Sequence, residues 1–404
     1  MRLIFLNRYY WPDESATSQM LTDLAEALAR RGYSVTVMTS RQKLEQARPA
    51  LEPLGQHGGV TIQRLWTTSF GRAHLLGRAL DYLSFYLSAI WSVLRQVRRG
   101  DIVIAKTDPP LLGAILEPFV RLKRGALVNW LQDVYPEVAV RLGVLSARSP
   151  LTRVLMALRD RSLRRAKFNV VIGERMREYL AGRIGPTAKL HVIHNWAAPI
   201  DWTAQPNSEN PLRRQLGLDS KVVFGYSGNL GRAHRFESLL AAGEQLKNRK
   251  DLHFLFIGSG AQFELIQRAV TARGLGNWTF LPHQPRERLA ESLAAADVHL
   301  VSLDPALEGL IVPSKIYGVL AAGRPCIFIG ATDGEVALIL AHHRCGVSAL
   351  PNRQDELAQA ILRLAEDHAE RLAMGERAQA AAARFAPANV VLRWHALLAQ
   401  PPQR

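Results

Sequence analysis

A charged loop that runs into an apolar stretch is the first place where residue types in this sequence suggest chemistry. Residues 308–325 read EGLIVPSKIYGVLAAGRP, so Glu308, Ser314 and Lys315 precede a short, apolar, helix-like run. The start of a helix gathers unpaired backbone N–H groups and the positive end of the helix dipole, both of which attract anions. The pattern therefore predicts an anion site, although an ordinary loop with a capping serine fits the same residues.

A glycine turn followed by cations is the second candidate. In residues 226–240, YSGNLGRAHRFESLL, Gly228 and Gly231 lie between a predicted strand and a predicted helix, and Arg232 and His234 follow. Glycine lets the backbone approach an oxyanion closely, and neighbouring cations neutralise its charge. A phosphate site and a simple turn are both compatible with this pattern, because turns commonly contain glycine.

Short apolar runs alternate with helical patterns along the chain. The strands and helices that they predict must position both candidate sites, the loop at 308–325 and the glycine turn at 226–240. Between the first two runs, SATSQMLTDLAEALARRG repeats apolar residues at helical spacing and ends at a glycine. Such strand–helix repetition predicts parallel sheets covered by helices, with ligands at the carboxyl ends of the strands. The predicted strands cover residues 2–6, 34–39, 60–66, 101–105, 126–130, 168–172 and 189–193, then 222–228, 252–258, 278–282, 297–303, 325–330 and 346–350.

The chain length and a polar stretch indicate two domains. A chain of 404 residues is long for a single core. The stretch 194–214 is dense in Pro, Asn and Ser, which is typical of a linker, and residues 352–399 form an alanine-rich helical tail. The expected fold is therefore α/β, with two doubly wound, Rossmann-like domains facing a cleft.

Charge is distributed unevenly along the chain. The formal net charge is +16, of which residues 1–200 contribute +14 and residues 201–404 only +2. A basic half suggests that one domain meets a polyanion, either nucleic acid or an anionic membrane surface. A hydrophobic content of 48% and a charged content of 21% exclude a disordered chain, and the two cysteines exclude a disulfide scaffold or a cysteine-built zinc site.

The stretch 70–99 is apolar and bracketed by arginines. Its longest run without a charge, residues 82–94, has 13 residues, too few to cross a bilayer. A buried helix is one interpretation of it. The other is reversible binding to an anionic membrane surface, which is favoured by interfacial aromatic residues and by arginines at the exit: Tyr82, Tyr86, Trp91, Arg95, Arg98 and Arg99.

Six motifs together make the chain resemble glycosyltransferase family 4, the retaining enzymes of the GT-B fold. They are NWLQDVYPE (129–137), VIHNWA (192–197), YSGNLGRAH (226–234), LPHQPRERL (281–289), AAADVHLVSL (294–303) and GLIVPSKIYGVLAAGRP (309–325). With YYWPDESATSQ after the first strand, they most resemble the bacterial exopolysaccharide and O-antigen branch. The resemblance implies an acceptor-side domain at 1–200, a nucleotide-sugar domain at 201–385, and a C-terminal helix at 386–404 that packs back toward the first domain.

The resemblance also implies a reaction and its site residues. A sugar would pass from a nucleoside diphosphate, expected to be UDP, to a lipid-linked or growing saccharide, without a cofactor or metal. Of the candidate catalytic residues, Glu308 would lie near the donor sugar or ribose. Asp133 is a candidate because it follows the strand ALVNW at the expected cleft edge, where it would activate the acceptor or stabilise the sugar; a helix cap or turn aspartate is the alternative. The donor-binding residues would be Gly228, Asn229, Arg232, His234, His283, Ser314, Lys315 and Tyr317, and Ser15, Ala16 and Thr17 would form a phosphate or acceptor loop.

Some residues depart from the family pattern. The broader family carries two glutamates that flank seven residues in this region, and the second would fall at Gly318, which leaves the ribose contacts and the nucleotide open. Glu308 also lies two residues before the usual first glutamate, and Arg232 with His234 replaces a usual lysine. No Asp-x-Asp pair occurs, and residues 256–266 match the dinucleotide fingerprint only in part, so neither a metal nor a nicotinamide cofactor is expected.

Two other functions fit parts of the sequence. A nucleotide-sugar epimerase can share this architecture and would need no acceptor. A basic nucleic-acid-binding protein would explain the first half but not the glycine turns of the second, so no nucleic acid is expected. The expected partners are a nucleotide sugar, a lipid-linked saccharide and an anionic membrane surface. Because MRLIFLNRYYWPDE has no export signal, the expected location is cytoplasmic, peripheral on the inner face of the cell membrane.

Overall fold

The structure, a computed structural model, divides the chain into two units. It describes residues 1–43, 51–71, 75–185, 189–198, 200 and 209–400. The first unit is Met1–His194 together with Pro387–Arg404, and the second is Asn195–Ala386. Part of the predicted linker, 194–214, lies outside the described residues.

Eight strands form one sheet in the first unit. They are β1 (Arg2–Leu6), β2 (Ser34–Ser40), β3 (Leu54–His57), β4 (Val60–Leu65), β5 (Ile102–Lys106), β6 (Ala126–Leu131), β7 (Phe168–Val171) and β8 (Leu190–Val192). Their order is β3-β4-β2-β1-β5-β6-β7-β8, and only the β3–β4 pair is antiparallel. The seven predicted strands of this half are confirmed. The chain winds in opposite directions on the two sides of β1, where ligands usually bind in such sheets.

Helices connect these strands. They are α1 (Ala16–Arg30), α2 (Leu75–Gln96), α3 (Leu112–Leu122), α4 (Glu137–Arg141), α5 (Pro150–Arg165) and α6 (Glu174–Ile184). The helix predicted from the apolar spacing between the first two strands is confirmed, since α1 buries Leu21, Leu24 and Leu28 along one side. This burial fixes the start of α1 next to the carboxyl end of β1.

The second unit contains a six-stranded, fully parallel sheet. Its strands are β9 (Val222–Asn229), β10 (Leu252–Ser259), β11 (Trp278–Leu281), β12 (Val298–Ser302), β13 (Cys326–Ile329) and β14 (Gly346–Ala349), in the order β11-β10-β9-β12-β13-β14. All were predicted. Its helices are α7 (Pro211–Gln215), α8 (Glu237–Gln245), α9 (Phe263–Ala272), α10 (Leu289–Ala294), α11 (Lys315–Ala321), α12 (Glu335–His343), α13 (Gln354–Glu366) and α14 (His368–Ala382). The order reverses between β9 and β12, which makes their carboxyl ends the expected ligand position.

The last helix, α15 (Pro387–Ala399), belongs to the first unit. Trp394 of α15 is fully buried and meets the ring of Trp130 edge-on, with the ring centres 5.1 Å apart. His395 places Nδ1 2.8 Å from the hydroxyl oxygen of Tyr33. Aromatic packing and this hydrogen bond thus hold the end of the chain against the first sheet and the loop after α1.

Candidate active site

In the second unit, a lysine, a histidine and a backbone turn come together at the carboxyl ends of β9 and β12. Lys315, the first residue of α11, donates a 2.8 Å hydrogen bond from Nζ to the carbonyl oxygen of Asn229. The same Nζ lies 3.3 Å from Nε2 of His234 and 4.8 Å from the centre of the Tyr226 ring. Gly228 permits this approach, because its φ is +124° and a Cβ there would lie 2.6 Å from Lys315 Cε. Four of the predicted donor residues therefore form one cluster.

His234 is neutral in this cluster. Its Nδ1 lies 2.6 Å from the carbonyl oxygen of Ser302, which can only accept, so Nδ1 carries the proton and Nε2 accepts from Lys315. Burial and the Lys315 charge lower the pKa of His234 to about 3, against the opposing effect of the Ser302 bond. The neutral imidazole orients Lys315 without adding a second positive charge.

Lys315 has no acidic partner in the described part of the chain; its Nζ contacts only the Asn229 carbonyl, the His234 ring and the Tyr226 ring. Burial therefore lowers the pKa of Lys315 to about 7. An anion bound at Nζ would favour the charged form and raise that pKa again. The cluster is suited to an anion with several oxygens, such as a diphosphate.

A second glycine turn supports the first. A Cβ on Gly258, whose φ is +152°, would lie 2.1 Å from the carbonyl oxygen of Gly228, so only glycine allows the two turns to meet. Gln262 then donates from Nε2 to the carbonyl oxygens of Gly231 at 2.8 Å and His234 at 3.0 Å. The partial dinucleotide fingerprint thus reflects one turn packing on another. Gln262 positions the turn after β9, and no motif in the sequence indicated this role of Gln262.

Of the four predicted donor residues outside this cluster, Arg232 and His283 are exposed. Arg232 is exposed and forms no hydrogen bond or ion pair with any described residue. His283 is exposed in the loop after β11 and is likewise without such a contact among the described residues. Both follow strands that end at the same edge of the sheet as the Lys315 cluster. Their donor-binding roles stay predictions.

Glu308 caps the start of α12. Its Oε1 accepts hydrogen bonds from the backbone N–H of Glu335 at 2.9 Å and of Gly309 at 3.3 Å. Burial raises the pKa of Glu308, the two N–H donors oppose that rise, and the nearby acids Glu335 and Asp333 add to it. Within the described ranges no hydrogen bond or ion pair joins Glu308 to Lys315. Its catalytic role stays a prediction, and the observed contact is structural.

Ser314 and Tyr317 lie on either side of Lys315 in sequence but do not line the cluster in the way the family resemblance implied. The Ser314 side chain makes no capping hydrogen bond. Tyr317 is 1% exposed, meets the ring of Phe385 edge-on at 5.2 Å, and has its pKa raised by burial. The Tyr317 ring is thus enclosed in the core, and a donor-binding role for this residue stays a prediction. Because α11 has only seven residues, its backbone dipole contributes little, and the Lys315 side chain is the main positive group at its start.

In the first unit, Asp133 lines a small pocket at the carboxyl ends of β5 and β6. Asp133 caps no helix, since the residue preceding α4 is Pro136. Burial and the charge of Asp108 raise the pKa of Asp133 to about 6, and Lys106 opposes them. A carboxyl group that titrates near neutrality can exchange a proton with a hydroxyl group. The polar residues lining the pocket are Lys106, Thr107, Asn129, Asp133, Tyr135, Arg159 and Ser162.

Lys106 is a buried cation beside Asp133 that no motif indicated. It ends β5, is 2% exposed, and donates from Nζ to the carbonyl oxygen of Thr17 at 2.6 Å. Burial lowers its pKa to about 7, and the charges of Asp108, Asp133 and Asp23 oppose that shift. A lysine that ends an otherwise apolar strand is the one sequence signal that could have revealed it.

The predicted loop Ser15, Ala16 and Thr17 forms the start of α1. The backbone N–H of Ser15 donates 2.9 Å to Oδ1 of Asp13, and the Ser15 hydroxyl bonds to the same oxygen. Thr17 contributes the carbonyl oxygen that Lys106 contacts. The role of this loop toward a phosphate or an acceptor stays a prediction.

Both units match known families. Residues 15–196 match the glycosyl transferase 4-like domain, and residues 208–381 match the glycosyl transferases group 1. WbjE, a probable glycosyltransferase of Pseudomonas aeruginosa, is 31% identical over 293 residues, 72% of each chain. The chain belongs to glycosyltransferase family 4. WcaI, a putative colanic acid biosynthesis glycosyl transferase of Escherichia coli strain K12, is 24% identical over 346 residues, 83% of this chain and 85% of the relative.

Solved structures share the fold of this glycosyltransferase. Sucrose-phosphate synthase from Thermosynechococcus elongatus superposes with a TM-score of 0.79 at 18% identity, over 98% of each chain. HepE of Anabaena, solved in complex with UDP and glucose, superposes with a TM-score of 0.72 at 19% identity, over 98% of this chain and 99% of HepE. The expected GT-B fold is confirmed, with two parallel-sheet α/β domains.

The glycosyltransferase has an apolar surface along α2. One side of α2 is buried through Phe85, Ala89 and Val93. The other side exposes apolar residues three or four positions apart, and two aromatic residues of the segment after β4 are exposed as well. We call this set the α2 face: Trp66, Phe70, Leu76, Leu80, Leu83, Leu87 and Trp91.

Hydrogen bonds to α2 fix the backbone at both aromatic residues of that segment. Ser88 donates from Oγ to the carbonyl oxygen of Trp66 at 2.7 Å, and the buried Asp81 accepts from the backbone N–H of Phe70 at 3.0 Å. The guanidinium of Arg95 lies 4.4 Å from the centre of the Trp91 ring. The aromatic residues are thus exposed on an ordered backbone, next to a cation.

Two features are absent from the described residues. None of their helices combines the length and apolar character needed to cross a bilayer. They also contain no group of three or more His, Cys, Asp and Glu side chains placed to hold a metal ion.

Proposed function

We propose that this glycosyltransferase moves a sugar from a nucleoside-diphosphate sugar, with UDP as the nucleotide, to a saccharide acceptor. The Lys315 cluster is the observation that carries the proposal. It offers a cation without an acidic partner among the described residues, oriented by the Asn229 carbonyl and by the neutral His234. A bound diphosphate would compensate the charge of Lys315. HepE, which shares the fold and was solved with UDP and glucose, supports UDP.

Lys315 would act on the leaving diphosphate. When the bond between the anomeric carbon and the phosphate oxygen breaks, negative charge accumulates on the diphosphate and positive charge on the sugar ring. A preorganised ammonium group stabilises that negative charge, and the exposed Arg232 could add a second cation. These side chains make metal-independent transfer the simplest mechanism. Retention of the anomeric configuration is proposed from the resemblance to family 4.

Asp133 would act on the acceptor. Its carboxylate lines a pocket with hydroxyl-bearing residues and has a pKa of about 6, so it can receive the proton that the acceptor hydroxyl loses as the new glycosidic bond forms. The acceptor is proposed to be a lipid-linked or growing saccharide of a cell-surface polysaccharide. Support comes from WcaI, which is named for colanic acid biosynthesis.

The α2 face would bring the enzyme to a lipid-linked acceptor. Its exposed leucine and tryptophan side chains suit the interfacial region of a bilayer, and Arg95, Arg98 and Arg99 at its end suit anionic headgroups. We propose reversible binding to the inner face of the cell membrane from the cytoplasm. The excess of +14 charges in residues 1–200 supports the same partner.

Turnover with and without an acceptor tests the proposed function. Sugar nucleotides carrying UDP or GDP are incubated with the protein and a lipid-linked saccharide fraction, and nucleotide release and glycosylated product are both measured. Lys315→Met should lower kcat/KM by roughly a hundredfold or more. Lys247→Met, which changes an exposed lysine of the same unit, should behave as wild type. Isomerised sugar nucleotide formed without acceptor would show an epimerase and contradict the proposal.

A further inference from the structure

Lys106 ends β5 and lines the same pocket as Asp133, which follows the neighbouring strand β6. Its register partner on β6 is Trp130, three residues before Asp133. Its Nζ lies 4.2 Å from the centre of the Trp130 ring and 2.6 Å from the Thr17 carbonyl oxygen. Lys106 and Asp133 line the same pocket. The ammonium group is therefore held between β5, β6 and the start of α1.

The ammonium group of Lys106 lacks full compensation from its hydrogen bonds. It has three N–H donors, but among the described residues its one hydrogen bond goes to a neutral carbonyl. A buried charge of this kind requires an opposite charge nearby. The acidic groups whose charges act on Lys106 are Asp108, Asp133 and Asp23. Of these, Asp133 shares the pocket with it.

We propose that Lys106 is a positioning residue for sugar transfer, whose buried ammonium group keeps the Asp133 carboxylate ionised in the pocket that both side chains line. This rests on the proposed function, in which Asp133 takes the proton of the acceptor hydroxyl while the hydroxyl oxygen bonds to the anomeric carbon. Burial and Asp108 both favour the protonated form of Asp133, and a protonated acid cannot take that proton. Lys106 is the charge that opposes them.

The other charged or titratable groups around this pair come from several elements. Arg159 of α5 also lines the pocket, but it is paired with Glu137 at 2.6 Å and with Asp160 at 2.6 Å. Tyr135 lines the pocket as well, and burial raises its pKa, so it stays neutral over the tested range. The remaining groups whose charges act on Lys106, Asp133 or Tyr135 are Asp23 of α1, Asp108 of the loop after β5, and Arg78 and Tyr82 of α2.

The pH dependence of Lys106→Met tests the inference. Wild type should lose kcat/KM as pH falls through about 6, where Asp133 becomes protonated. Without the ammonium group, the pKa of Asp133 should rise. The acidic limb of the pH profile, the range in which kcat/KM falls as pH falls, should then move upward by about one pH unit or more. Activity should then recover to within a few fold of wild type at about pH 9. A loss that is equal at every pH would mean a structural role and overturn the inference.

Lys167→Met is the matched control. Lys167 also donates to a backbone carbonyl, that of Gln400 at 3.1 Å, and lies 5.9 Å from the ring centre of Phe168, but it does not line the pocket. Its replacement should leave the acidic limb unchanged. An equal shift in both lysine variants would overturn the inference, because removal of any nearby charge would then suffice.

A double-mutant cycle provides a second measurement. Asp133→Asn and Lys106→Met should be non-additive in kcat/KM, because Lys106 acts through the carboxylate that the first substitution removes. If Lys106→Met does not fold, Lys106→Arg should fold and keep the wild-type limb, since it keeps the charge. Additive effects, or a shifted limb in Lys106→Arg, would overturn the inference. Failure of wild type to transfer any sugar would instead contradict the proposed function.

Discussion

Lys315 and Lys106 are both buried lysines, but their surroundings prepare them for different partners. Lys315 faces a carbonyl oxygen and a neutral imidazole, and no acid pairs with it in the described part of the chain. Lys106 has the charges of Asp108 and Asp133 close by. A cation of the first kind is suited to an anionic ligand, whereas a cation of the second kind is partly compensated by the carboxylates of the protein itself.

Donor affinity should therefore fall as pH rises above about 7. In the free protein the pKa of Lys315 is about 7, lowered by burial, and the diphosphate binds the protonated form. Affinity should be constant below that pH and weaken by up to about tenfold per pH unit above it. His234, with a pKa of about 3, stays neutral throughout. Isothermal titration calorimetry in two buffers of different ionisation enthalpy should also detect proton uptake on binding.

Lys315→Met should bind more weakly at all pH values and lose both the pH dependence and the proton uptake. Lys247→Met should retain them, because Lys247 is exposed on another part of the second unit. Wild-type affinity that stays constant from about pH 6 to about pH 9 would show that Lys315 does not meet the donor phosphates.

Residues at strand ends were predictable where a motif marks them. Glycines or prolines lie close in sequence to Lys315, His234 and the Gly228 turn, and they indicate loops there. The structure brings these residues into one cluster. Lys106 was missed, because its one sequence signal is a lysine that ends an apolar strand, and only the tertiary structure shows that its neighbours are Thr17 and Trp130. The burial of Tyr317 was not predictable either, because the sequence does not show which side of a seven-residue helix is enclosed.

At the scale of elements, the donor site depends on the contact between two turns. The turn after β9 carries the Asn229 carbonyl that Lys315 contacts, and the turn after β10 lies against it. Gln262, at the start of α9, ties the two together through backbone carbonyls. The stability of this contact and the geometry of the cluster should therefore change together.

Gly258→Ala should disrupt this contact. A Cβ would lie 2.1 Å from the Gly228 carbonyl oxygen, in a backbone conformation with φ of +152°. The free energy of unfolding should decrease by about 2 kcal/mol or more, and donor affinity should fall with it. Urea denaturation of the full chain and calorimetry measure the two effects. Gly276→Ala is the control, because its Cβ would meet nothing within 4 Å, and a similar loss in both variants would count against the turn-on-turn contact.

Elements were predictable where the sequence pattern has one dominant cause. Strands buried on both faces, such as β1, β5 and β13, consist mainly of continuous apolar runs, and all thirteen predicted strands are present. β3 is different. Its residues LGQH alternate between exposed and partly buried side chains, and it pairs antiparallel with β4 at the edge of the sheet. An edge strand that buries little has too few apolar residues to be recognised from composition.

At the scale of the whole molecule, the basic charge and the α2 face occur in the same unit. Residues 1–200 carry +14 of the net charge of +16. Trp91 of the α2 face is 58% exposed and lies under Arg95, so an apolar and a cationic group adjoin. The inward side of α2 also carries polar residues. One of them, the buried Asp81, accepts a hydrogen bond from the backbone N–H of Phe70 in the segment after β4. A surface held in this way is better explained by an interfacial partner than by incidental exposure.

Vesicle binding should require both parts of this surface. The protein should sediment with vesicles that contain anionic lipid at low salt, much less with neutral vesicles, and should be partly released at high salt. Each cation near the surface contributes about 1 kcal/mol, an attraction that salt screens. Replacing Arg95, Arg98 and Arg99 by Gln should therefore remove most of the preference for anionic lipid.

Leu87→Gln with Trp91→Gln should weaken binding to both vesicle types, because it removes the apolar side chains that enter the interface. Leu372→Gln is the control for exposed leucine, since Leu372 is 55% exposed on α14 in the other unit, close to the 60% of Leu87. All variants should keep transfer to a soluble acceptor, because none changes Lys315 or Asp133. If wild type stays in the supernatant with both vesicle types, or if Leu372→Gln loses binding as strongly as the α2 variant, the α2 face is not a membrane surface.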